Sequence, residues 1–330
     1  MQILITGAAG NLGSALARHL LPSRHRLRLL FHRTPLPDDL LAGRRVELAQ
    51  ADLAIPETLS AACEDVDCIV HFAGILFAPR PERFLPVTNH TYVANLVEAA
   101  IEAGVRRFIL ISFPHVEGPT TPDHPATGRM PPRTGVPPGF AARTVDVSPI
   151  SVHAQTRLAA EKTLFERSRG TGLRPISLRS GLIYGRGVKM IEAGRWLLQR
   201  RLLAVWPEPT WNHLLALPDF LRCVQAASVK PRARGVYLLG DELPMTLQNF
   251  LDALAWHWGD PPAWRLPRAL FPLAGAISEA TATVLGTVSP LTRDFIRIGM
   301  VPHVVDTTRM RRELLPRLAY PTLREGLAIL

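Results

Sequence analysis

Ile3-Leu4-Ile5 is an unbroken apolar run, followed by Gly7, Gly10 and Gly13 at a spacing of three, while Leu12, Leu16 and Leu20 recur at helical spacing. A run of this kind fits a strand buried on both faces of a parallel sheet. The residues therefore spell strand, glycine turn, helix. Glycine suits such a turn because a backbone without Cβ can bend tightly, and because the helix N-terminus behind it can offer its free N–H groups to a pyrophosphate. A βα turn without a ligand would use the same spacing. The strand before the turn, the amphipathic helix after it and a second strand pattern at Leu27–Phe31 favour the dinucleotide reading.

The alternation continues along the chain. The second strand ends at Arg33, Leu59–Glu64 reads as a short helix, and Asp67–Phe72 reads as a strand closed by the turn Ala73-Gly74. Val93, Leu96, Val97 and Ala100 mark a helix over Thr88–Ala103, which Gly104 ends before the strand Arg106–Ser112. This pattern predicts a doubly wound, Rossmann-type α/β fold with a parallel sheet. From Pro114 to Val147 the periodicity disappears into a Pro-, Gly- and Arg-rich stretch at the carboxyl edge of the sheet, where a lid loop is expected. A helix over Val152–Glu166 and a strand over Leu173–Leu178 resume the alternation. The expected division is a dinucleotide-binding domain over 1–187 and a smaller C-terminal substrate region over 188–330, with 235–250 returning to the sheet. Leu266–Gly286 is apolar and proline-rich, interrupted by Arg268 and Glu279. It reads as a pocket wall, the commoner use of such a segment, or as an interfacial helix making peripheral membrane contact.

At 330 residues and 47% hydrophobic, the chain can bury a large core. Its net charge of +10 is almost all arginine, because lysine occurs only at Lys162, Lys189 and Lys230. The arginines are spread along the chain without a basic tail or aromatic-interleaved basic segment, which argues against nucleic acid as a partner. Cys63, Cys68 and Cys223 form no CxxC pair and are odd in number. No run of eighteen charge-free apolar residues suggests a membrane span, and the first residues are strand-like rather than a signal sequence. A reducing cytoplasm fits these features.

With these motifs the chain resembles the extended short-chain dehydrogenase/reductase family, which includes nucleotide-sugar epimerases, dehydratases and 3β-hydroxysteroid dehydrogenases. Thr6-Gly7-Ala8-Ala9-Gly10-Asn11-Leu12-Gly13 resembles its TGxxGxxG turn, and Asp52-Leu53 the pair that contacts adenine. His71-Phe72-Ala73-Gly74 lies where the family has its HxAA-type strand end, and Asn89 heads the helix that usually begins with Asn. Arg179–Gly185, with Ser180 and Leu182, resembles the RPGxxYG segment beside the nicotinamide. Ser289–Arg293 and Leu323–Leu327 resemble C-terminal pieces of the steroid-dehydrogenase-like branch. The resemblance implies cofactor contacts at Gly7, Ala9, Gly10, Asn11, Leu12, Gly13, Asp52, Leu53, Phe72, Ala73, Gly74, Asn89, Ser180 and Leu182. A homodimer is compatible with it.

The catalytic positions depart from the family. Its Tyr, the Lys four residues later and a strand hydroxyl are replaced by His153, Arg157 and Phe113, with Ser112 the hydroxyl left beside that position. Two readings follow. In one, His153 acts as acid/base with an imidazole that titrates near neutrality, Arg157 holds the nicotinamide ribose, and the nearby cation keeps His153 neutral. In the other, chemistry is lost and the chain is a non-catalytic dinucleotide-binding regulator or assembly subunit. A sugar-nucleotide epimerase or dehydratase is a third alternative. Phe31-His32-Arg33 replaces the acidic residue that would bind the ribose 2′-hydroxyl, so NADP, with Arg33 on its 2′-phosphate, is expected over NAD. The apolar C-terminal region points to a lipophilic hydroxyl or carbonyl substrate. His115, Glu117, Asp123 and His124 match no zinc spacing, so no metal is expected.

Overall fold

The computed structural model describes residues 1–74, 80–130, 149, 151–287 and 291–330. Seven parallel strands form the central sheet: β1 (Gln2–Thr6), β2 (Arg26–Phe31), β3 (Val46–Gln50), β4 (Cys68–His71), β5 (Arg107–Ser112), β6 (Arg174–Ser180) and β7 (Gly235–Leu239). Their order is β7-β6-β5-β4-β1-β2-β3, so the winding reverses between β1 and β4. Ligands of doubly wound sheets sit outside the carboxyl ends of the strands at such a reversal.

Alternating side chains build the two faces. Ile3, Ile5, Leu27 and Leu29 meet Leu16 and Leu20 of α1 (Asn11–Leu20) on one side, together with Phe220 and Val224. Leu4, Leu30, Ile69 and Phe108 point to the other side, against Val93, Leu96 and Val97 of α2 (Tyr92–Glu102) and Ala160 and Leu164 of α3 (Val152–Arg167). Each fully buried Leu or Ile contributes about 2 kcal/mol of transfer free energy, so both helical layers are held firmly.

Several boundaries differ from the sequence expectation. The second strand stops at Phe31, leaving Arg33 in the exposed connection beyond it. A π-helical turn, Pro86–Thr91, leads into α2 and carries Asn89. The sequence gives no hint of β3, an edge strand with half-exposed residues and no clean alternation. The expected lid over 114–147 falls in two parts. Residues 114–130 are pinned: Thr120 N–H donates to Pro302 O at 3.0 Å, Ala126 N–H to Val304 O at 2.8 Å, and Ala126 bridges Val305. Residues 131–147 lie outside the described residues, as do Ser289 and Pro290 of the C-terminal motif.

Beyond β6 the chain forms short strand pairs and helices. The longer helices are α4 (Lys189–Gln199), α5 (Leu217–Val229), α6 (Leu247–Trp258), α7 (Leu270–Leu285) and α8 (Arg293–Gly299), and two short ones, Thr308–Glu313 and Leu323–Gly326, follow. Leu182–Tyr184 pairs with Leu214–Ala216, and Ala204–Val205 with Trp264–Arg265. Gly326, in the Leu323–Leu327 motif, packs so closely on Tyr184 that an added Cβ would fall 1.8 Å from the phenol oxygen. The pocket-wall expectation for Leu266–Gly286 does not hold: most of the large apolar residues of α7 face outward. Among the described residues no helix is long and apolar enough to cross a membrane.

Candidate functional site

The glycine turn owes its shape to close approach. Gly7 sits at φ 68°, and a Cβ there would meet Ala73 N at 2.8 Å. A Cβ on Gly13 would lie 2.2 Å from Gly7 O. Gly10 caps α1 without a side chain, and no acidic residue occupies the first turn, so its positive end is left for an anion. Asn11 ties this turn to the start of α4, donating from Nδ2 to Gly187 O and accepting from Lys189 N–H at 3.0 Å. Ala9 and Leu12 are half-buried in the same turn. These residues fit the pyrophosphate of a dinucleotide.

Asp52 and Leu53, expected beside the adenine, follow β3. The Asp52 carboxylate accepts from Ala54 N–H at 2.9 Å and lies 3.3 Å from His32 Nε2. Asn95 Nδ2 donates to Leu53 O at 2.9 Å. Arg33 is exposed at the end of the same edge, with no carboxylate in place of Phe31.

The other half of the site lies where β4, β5 and α3 converge. Phe72, Ala73 and Gly74 continue from β4, with Phe72 N–H bound to Thr6 O at 3.3 Å and Ala73 N–H to Thr6 Oγ1 at 3.4 Å. Gly74 makes room for two side chains: a Cβ there would lie 2.6 Å from Arg157 Nη2 and 3.3 Å from Asn89 Oδ1. Asn89 is wholly buried. Thr156 Oγ1 gives its proton to His153 O at 3.0 Å, so it accepts from Asn89 Nδ2 at 3.2 Å. That fixes the Asn89 amide with Nδ2 also facing His153 Nδ1, at 3.5 Å. His153 Nδ1 is therefore the acceptor, and Nε2 carries the hydrogen.

Burial sets the electrostatics. His153 is held down to about 3, first by burial, then by the Arg157 guanidinium and His115. The imidazole is neutral, as its cationic neighbour suggests, but it does not titrate near neutrality as the sequence implies, because desolvation dominates. His71, whose Nδ1 pairs with Thr6 Oγ1 at 2.9 Å, is likewise lowered to about 3 by burial and then Arg157. Arg157 itself is lowered to about 10 by burial, which the Glu161 carboxylate opposes. Phe113 stacks between His153 and His115, with ring centroids 4.9 and 5.1 Å away. His115 meets His303 at 4.2 Å.

Among the described residues, His71 Nε2, Asn89 Oδ1, Ser112 Oγ, Arg157 Nη1, His115 Nδ1 and His303 Nδ1 are buried without a hydrogen-bond partner. Buried polar atoms are normally satisfied. Arg157 and Asn89 meet at Gly74, with His71 close enough to Arg157 to feel its charge, so their unmet polar atoms fit a polar ligand there. Ser180 and Leu182 flank its far side, with Ser180 Oγ donating to Gly181 O at 3.1 Å. Among the described residues no group of three or more His, Cys, Asp or Glu is placed to hold a metal.

Two supports of this site are not evident in the sequence. Arg179 is fully buried and bridges two helices' worth of structure: Nε donates to both Glu161 oxygens at 3.1 Å, and Nη1 donates to Glu117 Oε1 at 2.6 Å. It thus holds the 114–130 wall against α3 rather than facing a nicotinamide. Asp294 of α8 accepts from Val152 N–H at 3.0 Å and His153 N–H at 3.2 Å, capping α3 from outside.

The sheet order, the glycine turn at the reversal and the polar crevice beyond it define a dinucleotide-binding α/β protein of the Rossmann class. The chain belongs to the NAD dependent epimerase/dehydratase family, whose model matches residues 3–222. Uronate dehydrogenase of Pseudomonas syringae is 37% identical over 117 residues, 36% of this chain but only 41% of that relative's length. The 2-alkyl-3-oxoalkanoate reductase of Stenotrophomonas maltophilia is 27% identical over 333 residues, covering 95% of this chain and 93% of the relative. The structure of MoeE5 in complex with UDP-glucuronic acid and NAD has the same fold, with a TM-score of 0.74 at 22% identity over 100% of this chain and 97% of that one.

Proposed function

We propose that the chain is an NADP(H)-dependent oxidoreductase acting on a hydroxyl or carbonyl of a lipophilic substrate, with a 2-alkyl-3-oxo acid or its ester as the leading class. The buried cluster of Asn89, His153 and Arg157 beside the glycine turn carries this reading. When bound, the cofactor exchanges hydride with the substrate's carbinol carbon. The relative matched along nearly its whole length is by name a reductase of such a ketone, which supports the substrate class.

His153 then works as a neutral hydrogen-bond donor. Its Nε2–H, fixed by the Asn89 contact at Nδ1, polarises the substrate oxygen and stabilises the negative charge that grows there. A group held at about 3 is not the bulk proton reservoir, so the proton that completes the alcohol comes from solvent. Arg157 supplies fixed positive charge and hydrogen bonds to the ribose, with Ser112 Oγ as a further donor beside the reacting oxygen. Arg33, exposed past β2 with no acid nearby in the motif, meets the 2′-phosphate.

Calorimetric titration with NADPH and NADH, followed by NADPH oxidation with a 2-alkyl-3-oxo acid, tests this. NADPH should bind more tightly than NADH, and Arg33→Asp should reverse that order. His153→Phe should keep cofactor affinity but lower turnover by roughly 100-fold. Binding of neither nucleotide would refute the enzyme reading. One observation favours a non-catalytic regulator: Arg157 is largely buried, its guanidinium packed against Gly74. Cofactor binding with no activity dependent on His153 would establish that reading, and nicotinamide retained through purification would favour an epimerase.

A further inference from the structure

Helix α7 is built inside out. Leu270, Leu273, Ile277, Val284 and Leu285 are exposed, Val284 by 85% and Leu285 by 72%. Gly275, Glu279 and Ala282 are the residues turned inward. Glu279 is the single charged residue of this helix, and it faces the protein, where it accepts from Arg293 N–H at 2.7 Å and Arg293 Nε at 2.8 Å. Gly275 packs on Ile296 and Arg293. A helix on the surface of a globular protein normally shows the opposite arrangement, with its apolar stripe inward. Its outward stripe recurs at three- and four-residue spacing and carries no charge.

The segment before α7 also exposes large apolar residues. Trp264 is 51% exposed and Leu266 is 39% exposed, and the strand they belong to lies beside Ala204–Val205. Leu202 and Trp196 are exposed just beyond it. Arginines stand among these apolar groups: the Arg200 guanidinium lies 4.2 Å over the Trp196 ring, and that of Arg201 lies 4.5 Å over Trp264. Monomeric soluble proteins rarely leave an apolar surface of this extent uncovered.

We propose that this face, α7 together with Trp196–Leu202 and Trp264–Leu266, lies in the interface of an anionic phospholipid bilayer with α7 parallel to its plane. Tryptophan prefers the headgroup level, where its ring is buried and its N–H remains solvated. Arginine stems run along apolar surface while their heads reach phosphate, which suits Arg200 and Arg201. The absence of any carboxylate on the outward stripe removes the repulsion that an anionic surface would meet. A second copy is the weaker occupant, because a two-fold interface would bring the same arginine-bearing patch onto itself. This inference does not depend on the oxidoreductase reading.

The test is co-sedimentation of the full chain with phosphatidylcholine vesicles with and without phosphatidylglycerol. Binding should require phosphatidylglycerol, weaken as salt rises, and fall at least about ten-fold in Leu273→Glu/Ile277→Glu. A second variant, Arg200→Gln/Arg201→Gln, should lose the preference for anionic vesicles while leaving the helix intact. Unchanged thermal unfolding and nucleotide affinity would show that both variants are folded. The proposal is overturned if the parent chain stays in the supernatant, if the Glu variant binds like the parent, or if neutral vesicles bind equally well. It is also overturned if light scattering shows a dimer that the Glu variant dissociates and the parent binds no vesicles.

Discussion

Replacing Arg179 by methionine tests whether the buried ion triad supports the site. The guanidinium is completely enclosed and donates to two carboxylates, Glu161 and Glu117, as well as to Arg129 O at 3.0 Å. Ser177 Oγ adds a bond to Glu161 at 2.9 Å. Arg179→Met leaves two carboxylates facing a pocket that no longer holds their cation. Breaking one member of a buried ion set costs about 3–5 kcal/mol, because the remaining charge is stranded rather than because the pair was strong. For a chain of 330 residues that lowers the thermal midpoint by about 4–7 °C. Urea unfolding followed by far-UV circular dichroism reads the loss. The triple change Glu117→Gln/Glu161→Gln/Arg179→Met should recover at least half of it, since it removes the stranded charges as well. A loss below about 1 kcal/mol for Arg179→Met alone, or a triple variant less stable than the single, would refute the reasoning.

Three further outcomes follow from the geometry of the turn, the buried histidines and α3. Gly13→Ala should abolish nucleotide binding in calorimetry, because its Cβ would lie 2.2 Å from Gly7 O and the turn must open. Stability should fall on acidification. His71 and His153 are held at about 3, and His115 and His213 at about 4, each chiefly by burial, so below the ordinary histidine value of about 6.5 the unfolded chain binds protons that the folded chain refuses. Each contributes a loss of about 1.4 kcal/mol per pH unit from about pH 6.5 down to its folded value. Asp241, pushed up to about 8 by burial, has the opposite slope between about pH 4 and 8 and offsets one of them. Urea midpoints at pH 7 and 5.5 should therefore differ sharply, and His71→Asn should flatten the profile. Finally, Asp294→Ala should cost about 1 kcal/mol by freeing the Val152 and His153 N–H groups, although Ser151 still caps α3 at Ala154, and it should lower turnover more than nucleotide affinity.

The alternation of strands and helices was legible because the central strands are buried on both faces and their helices carry a continuous apolar stripe. Leu4, Val70 and Leu110 could hardly lie elsewhere. The edge strand Val46–Gln50 was not legible, since a half-solvated edge needs neither an apolar run nor strict alternation. The glycine turn stands out from its local spacing, while Asn89, His153 and Arg157 were singled out through the family resemblance, and the structure brings these three together. The Glu117–Glu161–Arg179 triad joins three positions far apart in the chain, so no local spacing betrays it. Glu161 did carry one signal: it lies among Ala160 and Leu164 on the buried side of α3, where a carboxylate needs a cation. The lowered pKa of His153 was also hidden, because it arises from burial in the fold, with Arg157 and His115 adding to it.

Arg293 and Asp294 are consecutive residues of a seven-residue helix, yet they serve different masters. Arg293 holds Glu279 on the outward-facing helix, and Asp294 holds the backbone of His153. The imidazole is thus referenced to two frames at once: the rigid sheet beneath it through α3, and the greasy outer face through a single peptide unit. A load applied to α7 cannot be absorbed by a long slack loop before it reaches the first turn of α3. The position of one hydrogen-bond donor in the crevice is tied mechanically to whatever the protein leans on.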